Sequence, residues 1–341
     1  MNHLVISPSP HRRAELTTQK IMAAVNIALL PAAGMGVYLF GISAFFVLIT
    51  CIASCVLFEI LCYAAMKRSQ KVYDLSAILT GLLLGMNLPP DLPLYIAIIG
   101  SFIAIVIVKQ LFGGIGQNFA NPAITARIVL MLSFTPQMTR WVVPLYYKGA
   151  ADAATGATPL AAEWLTYEAG GELYKMAPFT LQDMFFGYTG GCIGETSAAL
   201  LILGGLTLIA LRVVFPITPT VYLSSFALLT FIWTRSINET LYQLLAGGLM
   251  LGAFFMATDY TTAPLTSKGR VVFALGCGIV TFLIRQFGGY PEGVSFAILF
   301  MNLLTPYIDR VTRTVPLGTD DSDEVKPNQH KKRRKKIIQE V

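Results

Sequence analysis

Long apolar blocks recur along almost the whole chain and constrain it more than any single motif. A helix needs about 20 apolar residues to cross the hydrocarbon core of a bilayer. By that measure spans fall near 21–41, 42–65, 75–90, 93–112 and 119–137, then near 196–215, 217–236, 241–258, 271–288 and 291–309. The blocks lack the polar face that a surface helix of a soluble domain carries. Charged residues make up 13% of the chain, against roughly 25% in soluble domains. The expected fold is an all-α integral membrane protein of about ten transmembrane helices, the third and fifth short or broken.

The blocks divide the chain. Residues 1–20 form a polar N-terminal segment, 21–137 a first membrane unit, 138–195 a polar segment, 196–311 a second membrane unit and 312–341 a basic tail. The first apolar stretch is longer than a signal-peptide core and is closed by no cleavage site, so it is expected to stay as a span. With the N-terminus cytoplasmic, ten crossings return the C-terminus to the same side. Nineteen basic residues, Lys109 among them, then fall on cytoplasmic segments and five, including Arg140 and Arg285, on the outer side, with Arg127 inside a span. The excess of positive charge inside supports this orientation. Both termini are expected in the cytoplasm of a bacterial or archaeal cell, with 138–195 extracytoplasmic.

The two membrane units resemble each other. Leu79-Thr80-Gly81-Leu82-Leu83-Leu84-Gly85-Met86 with Pro89 and Pro90 parallels Met250-Leu251-Gly252-Ala253-Phe254-Phe255-Met256 with Thr258, Asp259 and Pro264. Lys109-Gln110-Leu111-Phe112-Gly113-Gly114 parallels Arg285-Gln286-Phe287-Gly288-Gly289, and each unit closes with an amide and a proline, Asn121-Pro122 and Asn302 with Pro306. An odd number of spans per unit makes the five-helix repeats inverted, a plan in which Gly- and Pro-interrupted helices meet near the midplane.

Several chemistries are excluded by inventory. Cys51, Cys55 and Cys62 share one face of the second span, which reads as small-residue packing. Iron–sulfur ligation lacks a fourth cysteine at a workable spacing. His3, His11 and His330 all lie in terminal segments, so a buried bis-histidine haem is ruled out. Gly113-Gly114-Ile115-Gly116 has no strand–turn–helix context for a dinucleotide fold, and NAD is expected to bind elsewhere. No nucleophile–base pair stands out, and nucleic-acid binding does not suit a chain with ten spans.

The most informative motif is Asp152-Ala153-Ala154-Thr155-Gly156-Ala157-Thr158-Pro159, in the polar segment between the units. Thr-Gly-Ala-Thr matches the Ser/Thr-Gly-Ala-Thr acceptor pattern on which flavin mononucleotide (FMN) is attached through a phosphoester to the last threonine. Such a tetrapeptide occurs by chance in roughly one chain of this length in a hundred. Attachment needs an accessible hydroxyl, because a flavin transferase must bring the phosphoanhydride of flavin adenine dinucleotide to it. Gly156 and Ala157 leave room for that approach, and Pro159 biases Thr158 toward an extended backbone. An ordinary Ala/Gly/Thr turn is the competing reading.

With Lys109–Asn118, Asn121-Pro122-Ala123, the Thr-Gly-Ala-Thr site, Leu251–Phe255, Thr258-Asp259 and Phe287-Gly288-Gly289-Tyr290-Pro291-Glu292-Gly293, the chain resembles a known family. That family contains the D subunit of the Rnf complex, an ion-translocating ferredoxin:NAD oxidoreductase, and more distantly the B subunit of the sodium-translocating NADH:quinone oxidoreductase. The resemblance runs from about Ser7 to Asp309 and implies two inverted five-helix repeats. It also implies covalent FMN on Thr158, electron transfer coupled to Na⁺ or H⁺ movement, and partners among the other membrane and peripheral subunits of such a complex. It leaves open a second, non-covalent flavin, riboflavin or FMN. The basic tail departs from the family pattern. The longer N-terminal region of the quinone-reductase relative is absent here, which favours the Rnf side.

Charges inside spans cost roughly 2.5–3.5 kcal/mol at the bilayer centre on insertion scales and are functional candidates by default. Asp259 ends the interrupted span of the second unit. With Asn118 and Asn121 it is the candidate for an ion or flavin path between the repeats. A helix-end cap, or an ion pair with Lys268 or Arg270, is the alternative for Asp259. Glu59 is expected to face the bundle or to snorkel. The Lys/Arg tail suits anionic membrane lipid, or simply reinforces the orientation. From a different class, an inverted-repeat channel or secondary transporter for a small solute shares this plan. Sodium-pumping quinone reduction is a third reading.

Overall fold

A computed structural model describes residues 17–67, 74–148, 158–160, 179–288 and 292–313. Every extended regular element among these residues is helical. Helices α1 (Thr18–Phe40) and α2 (Ile42–Met66) come first, then α3 (Ser76–Met86), α4 (Leu94–Phe102, continuing as a π-helix over Ile103–Gln110), α5 (Pro122–Ser133) and the single turn α6 (Thr135–Met138). The second group holds α7 (Leu181–Phe186), α8 (Ala198–Ala210), α9 (Ile217–Thr234), α10 (Ile237–Leu245), α11 (Leu249–Leu251, continuing as a π-helix over Gly252–Met256), α12 (Ser267–Phe287) and α13 (Val294–Thr312). Five of them, α1, α2, α9, α12 and α13, are long and apolar enough to cross a membrane. A sixth span results if α10 and α11, bent by 69° at their junction, count as one. Helices α3, α4 with its extension, α5 and α8 are apolar but shorter.

Local chemistry sets the breaks. Thr17 caps α1 by accepting from Lys20 N, and Gly41, at φ 76°, separates α1 from α2. Asn121 accepts from Ala123 N and Ile124 N, and Pro122 takes the first helical position of α5, where its missing N–H costs nothing. Asn121-Pro122 therefore opens a helix, whereas Asn302 and Pro306 lie inside α13; the two pairs are not structural equivalents. In α7, Thr180 and Asp183 form a capping box, and the Thr180 hydroxyl bond holds the Asp183 carboxyl below its usual range.

Close contacts bind the bundle. A Cβ on Gly81 would lie 2.7 Å from Ile52 Cα, so α3 lies directly on α2. This is the small-residue packing that brings membrane helices together without a hydrophobic driving force between them. Cys51, Cys55 and Cys62 are buried, free thiols on α2. In the second half α9 packs on α12, and the Tyr222 and Thr281 hydroxyls hydrogen-bond at 2.7 Å across that contact. The halves join where α1 meets α8 and where α5 meets α13. Gly204 faces Ala28 O on α1 and Gly205 faces the Phe254 ring, so α8 is clamped between α1 and the interrupted helix α11. One continuous apolar core runs through both halves. Ile42, Phe46, Leu203, Phe231 and Leu303 point outward, as expected of side chains that face lipid.

Residues 187–197, the end of the segment between the halves, are tucked into the bundle. Ile193 N donates to Leu88 O at 3.1 Å and Gly194 N to Met86 O at 2.7 Å, just past the end of α3. A Cβ on Gly194 would collide with Met86, so only glycine fits there.

Candidate functional site

The interrupted helices α3 and α11 end against each other. Asn87 Nδ2, one residue beyond α3, contacts Met256 Sδ at 3.7 Å, and Asn121 Nδ2 reaches Met256 O at 3.5 Å. A cavity of about 80 Å³ opens on one side of this junction. Asn118, Asn121, Lys109, Asp259, Phe254 and Phe255 are among its lining residues. Asp259 accepts from Thr261 and Thr262 and forms no ion pair among the described residues; Arg270 instead donates to Pro264 O and lies over the Phe215 ring. Asn118 Oδ1 is buried without a hydrogen-bond partner. Buried acceptors are nearly always satisfied in native proteins, and this one has no partner among the described residues.

Behind the cavity lies a buried ion pair. The π-helical end of α4 turns Lys109 inward, where its Nζ donates to Glu59 Oε1 at 2.5 Å and to Ser76 Oγ at 2.6 Å. Gln110 Nε2 donates to the same Glu59 oxygen at 2.9 Å. Glu59 therefore faces the bundle. Lys109, expected on a cytoplasmic segment, is 2% exposed, because α4 continues as a π-helix through Gln110 and carries the lysine into the bundle. Glu59 Oε2 and Gln110 Oε1 are left without partners. Arg285, expected on the outer side, is likewise buried; its guanidinium donates to Gln243 O at 2.6 Å and Ala246 O at 3.0 Å.

On the other side of the α3–α11 junction, Arg127 of α5 ties together parts of the chain far apart in sequence. Nη1 donates to Asn87 Oδ1 at 2.9 Å and Ser295 Oγ at 3.2 Å. Nη2 contacts Cys192 Sγ at 3.4 Å, Glu195 Oε1 at 3.1 Å and Glu292 Oε2. The thiol and the two carboxylates bring one ligating atom each within 4.8 Å of one another, as a metal ion would need; the Arg127 guanidinium stands among them as the cation. Glu195 and Glu292 also line a small cavity with Thr158, Pro159, Thr189, Gly190 and Gly247. Thr158 is 7% exposed. Its neighbours are fixed, since Tyr242 Oη donates to Pro159 O at 3.3 Å and Leu160 packs with Met184, Tyr242 and Ala246.

The sequence profile of the NQR2, RnfD, RnfE family matches residues 5–318. This chain belongs to that family. It is 45% identical to the D subunit of the Na(+)-translocating ferredoxin:NAD(+) oxidoreductase complex of Acetobacterium woodii, over 91% of this chain and 94% of the relative. It is also 45% identical to the D subunit of the proton-translocating ferredoxin:NAD(+) oxidoreductase complex of Clostridium ljungdahlii, over 93% and 97%. The D subunit of the ion-translocating oxidoreductase complex of Stutzerimonas stutzeri is 41% identical over 89% and 92%.

In this member of the NQR2, RnfD, RnfE family, Asp259, Asn118 and Asn121 line one cavity. Thr158 lies apart from them, against the Arg127 cluster. The residues preceding Thr158 in its motif, Asp152–Ala157, lie outside the described residues, as do Gly289–Pro291 and the basic tail. Sequence reasoning missed Glu195, Glu292 and Cys192. One signal was available: a buried arginine in a span needs an acidic partner, and Glu195 and Glu292 each lie just before a helix in an acid-poor chain.

Proposed function

We propose that this chain is the membrane electron-carrying subunit of an ion-translocating ferredoxin:NAD⁺ oxidoreductase complex, with FMN esterified to Thr158. The observation that carries it is the match to D-subunit relatives over nearly the whole chain. The acceptor pattern ending at Thr158 supports the cofactor assignment; the position of the residue does not, since Thr158 is 7% exposed where attachment needs an accessible hydroxyl. Thr158, Thr189 and the glycines at 190 and 247 leave a cavity of about 10 Å³, room for about one water. That space leaves no room for a ring among the described residues. When bound, FMN supplies one-electron chemistry; the protein holds it and tunes its potential.

The cavity lined by Asp259, Asn118 and Asn121 is proposed as the place for ion passage or for a second, non-covalent flavin, riboflavin or FMN. The unpartnered Asn118 oxygen and the apolar Phe254 and Phe255 fit a flat ring with an N–H edge. The two 45%-identical relatives are named for different ions, so overall identity does not choose between Na⁺ and H⁺.

The proposed arrangement is ten spans in two inverted repeats, with both termini cytoplasmic and 138–195 outside. Full-length helices, a bent pair and shorter apolar helices supply one segment for each expected span. Partners are the other subunits of the complex, a flavin transferase acting on Thr158, and membrane lipid. A solute channel on the same plan is the rival, and it has no use for a flavin. The test is intact mass and in-gel flavin fluorescence of the denatured chain, co-expressed with a flavin transferase. Wild type is expected to carry one FMN adduct and Thr158→Ala none, while Thr158→Ser keeps it. A wild-type chain without adduct sinks the reading and leaves the channel as the better account.

A further inference from the structure

Away from Thr158, another cavity of about 70 Å³ lies at one end of the packed pair α9 and α12. It has room for about five waters, enough for the oxygens of a phosphate group. Its walls come from the start of α9 (Phe215, Thr218), the start of α12 (Pro264, Leu265, Arg270) and the turn at Tyr260. Phe215 and Leu265 are exposed, so the cavity opens to the surface.

The hydrogen-bond donors there are largely unspent. Arg270 Nε donates to Pro264 O at 3.1 Å, and the guanidinium lies 3.9 Å from the centre of the Phe215 ring. That stacking fixes its plane. Nη1 and Nη2, which form no hydrogen bond or ion pair among the described residues, are left as a fork for two oxygens. Thr218 is 3% exposed and lines the cavity, yet its hydroxyl has no hydrogen-bond partner among the described residues. Buried side-chain polar groups are rarely left so. Pro216 begins α9 without a capping side chain. The first-turn N–H groups of Ile217 and Thr218 therefore add the positive end of that helix. The carboxylates at hand are already committed. Asp259, also in the wall, accepts from Thr261 and Thr262, and Asp309 accepts from Leu265 N at 3.0 Å. The Thr266 and Thr312 hydroxyls meet at 2.8 Å, which sets the end of α13 beside the start of α12. Arg212, Lys268, Arg310 and Arg313 are exposed at this end, so positive charge prevails.

We propose that this cavity binds the phosphate of an anionic phospholipid, held by the Arg270 fork, the Thr218 hydroxyl and the start of α9. A lipid rather than a free phosphate is the source because of where the donors sit. They lie at the end of two helices long and apolar enough to cross a membrane. Exposed Leu211, Phe215 and Leu265 stand around them to meet acyl chains. The site requires that the chain cross a membrane and asks nothing of Thr158 or of flavin.

The experiment titrates the full-length chain in detergent with phosphatidylglycerol, phosphatidylcholine or inorganic phosphate, and counts bound molecules by native mass spectrometry. Wild type is expected to hold one phosphatidylglycerol in preference to phosphatidylcholine and to keep it when phosphate is added. Arg270→Gln is expected to weaken that binding roughly tenfold or more, and Thr218→Val by a smaller factor. Arg313→Gln removes an exposed charge at the same end but outside the cavity, and should leave the affinity unchanged. Equal weakening by Arg270→Gln and Arg313→Gln would mean diffuse surface charge and overturns the site. Release of the lipid by inorganic phosphate overturns the choice of lipid as the source. A wild-type chain that holds no phosphatidylglycerol also overturns the inference, even where a chain ending at Arg313 does hold it. The acidic run Asp320-Asp321-Ser322-Asp323-Glu324 would then be the occupant. If Arg270→Gln fails to fold, Thr218→Val decides, and an affinity equal to wild type overturns the site.

Discussion

The cavity around Asp259 and the cluster around Arg127 lie on the same interface between the halves, yet they are finished differently. At the cavity, Asn118 Oδ1 is buried and unpartnered, and just behind it Glu59 Oε2 and Gln110 Oε1 are too. Around Arg127 every guanidinium terminus is engaged and the space left is about 10 Å³. Unsatisfied buried acceptors are costly unless something visits them. A closed ion network instead holds chain segments in register. The first region leaves buried acceptors open among the described residues, and the second ties its guanidinium to fixed partners.

The largest stability effect should come from breaking the closed side. Arg127→Met removes the cation between two buried carboxylates, and breaking such a pair costs roughly 3–5 kcal/mol. Thermal unfolding in detergent is expected to show the loss, and Arg127→Met with Glu195→Gln and Glu292→Gln to recover most of it. A triple variant no more stable than the single one would mean that packing, rather than charge, holds the interface.

Lys109 and Arg285 sharpen the comparison because they are parallel in sequence and both buried, yet paired differently. Lys109→Met leaves Glu59 charged and without its cation, so a cost near that of Arg127→Met is expected. Arg285→Met strands the Gln243 and Ala246 carbonyl oxygens, about 1–3 kcal/mol, and also removes a cation that faces Glu292 and the Phe226 ring. Combining Lys109→Met with Glu59→Gln should bring the first down toward the second. Equal losses in the two single variants would show that the Lys109–Glu59 pair contributes no more than the Arg285 contacts do.

How much of this was readable in advance follows from which interactions are local. The apolar blocks follow from composition, which a sequence displays directly. The spans near 75–90 and 241–258 run past the helix ends at Met86 and Met256, and Glu59, expected either to face the bundle or to snorkel, faces it. The burial of Lys109 does not follow from composition: the expected span near 93–112 includes it, but apolar spacing cannot show that the π form over Ile103–Gln110 turns the lysine inward. The Arg127 cluster draws on residues 87, 127, 192, 195, 292 and 295, and no periodicity links positions that far apart. Asp259, Asn118 and Asn121 were read as one path, and they share a cavity because the α3–α11 junction brings them together. Thr158 was legible as a motif, but its neighbours were not.

Helix packing should respond more weakly. Gly81→Ala places a methyl carbon 2.7 Å from Ile52 Cα and 2.8 Å from Cys51 O, backbone atoms that cannot rotate aside. Overpacking of this kind costs about 1–3 kcal/mol, and α3 is expected to lift from α2. The unfolding temperature should fall while flavin stays on Thr158, since the Thr158 cavity shares no residue with that contact. Loss of the adduct together with stability would mean that attachment senses the whole first half.

The smallest change in stability, and the most direct probe of the open region, is Asp259→Asn. The carboxylate is held only by a backbone N–H on Oδ1 and threonine hydroxyls on Oδ2; the amide oxygen can keep the N–H while the amide NH2 donates to threonine hydroxyls turned to accept. Stability should therefore change by less than about 0.5 kcal/mol, as for substitutions away from packed or ion-paired groups. Ion-coupled electron transfer in reconstituted vesicles is expected to drop, because the charge that a passing cation would meet in the cavity has gone. The adduct on Thr158 and the stability of the Arg127 cluster should be untouched. If coupling survives Asp259→Asn intact, Asp259 is a turn residue rather than part of the path. The unpartnered Asn118 oxygen is then the feature of the cavity left to explain, and a bound ring with an N–H edge explains it without any ion.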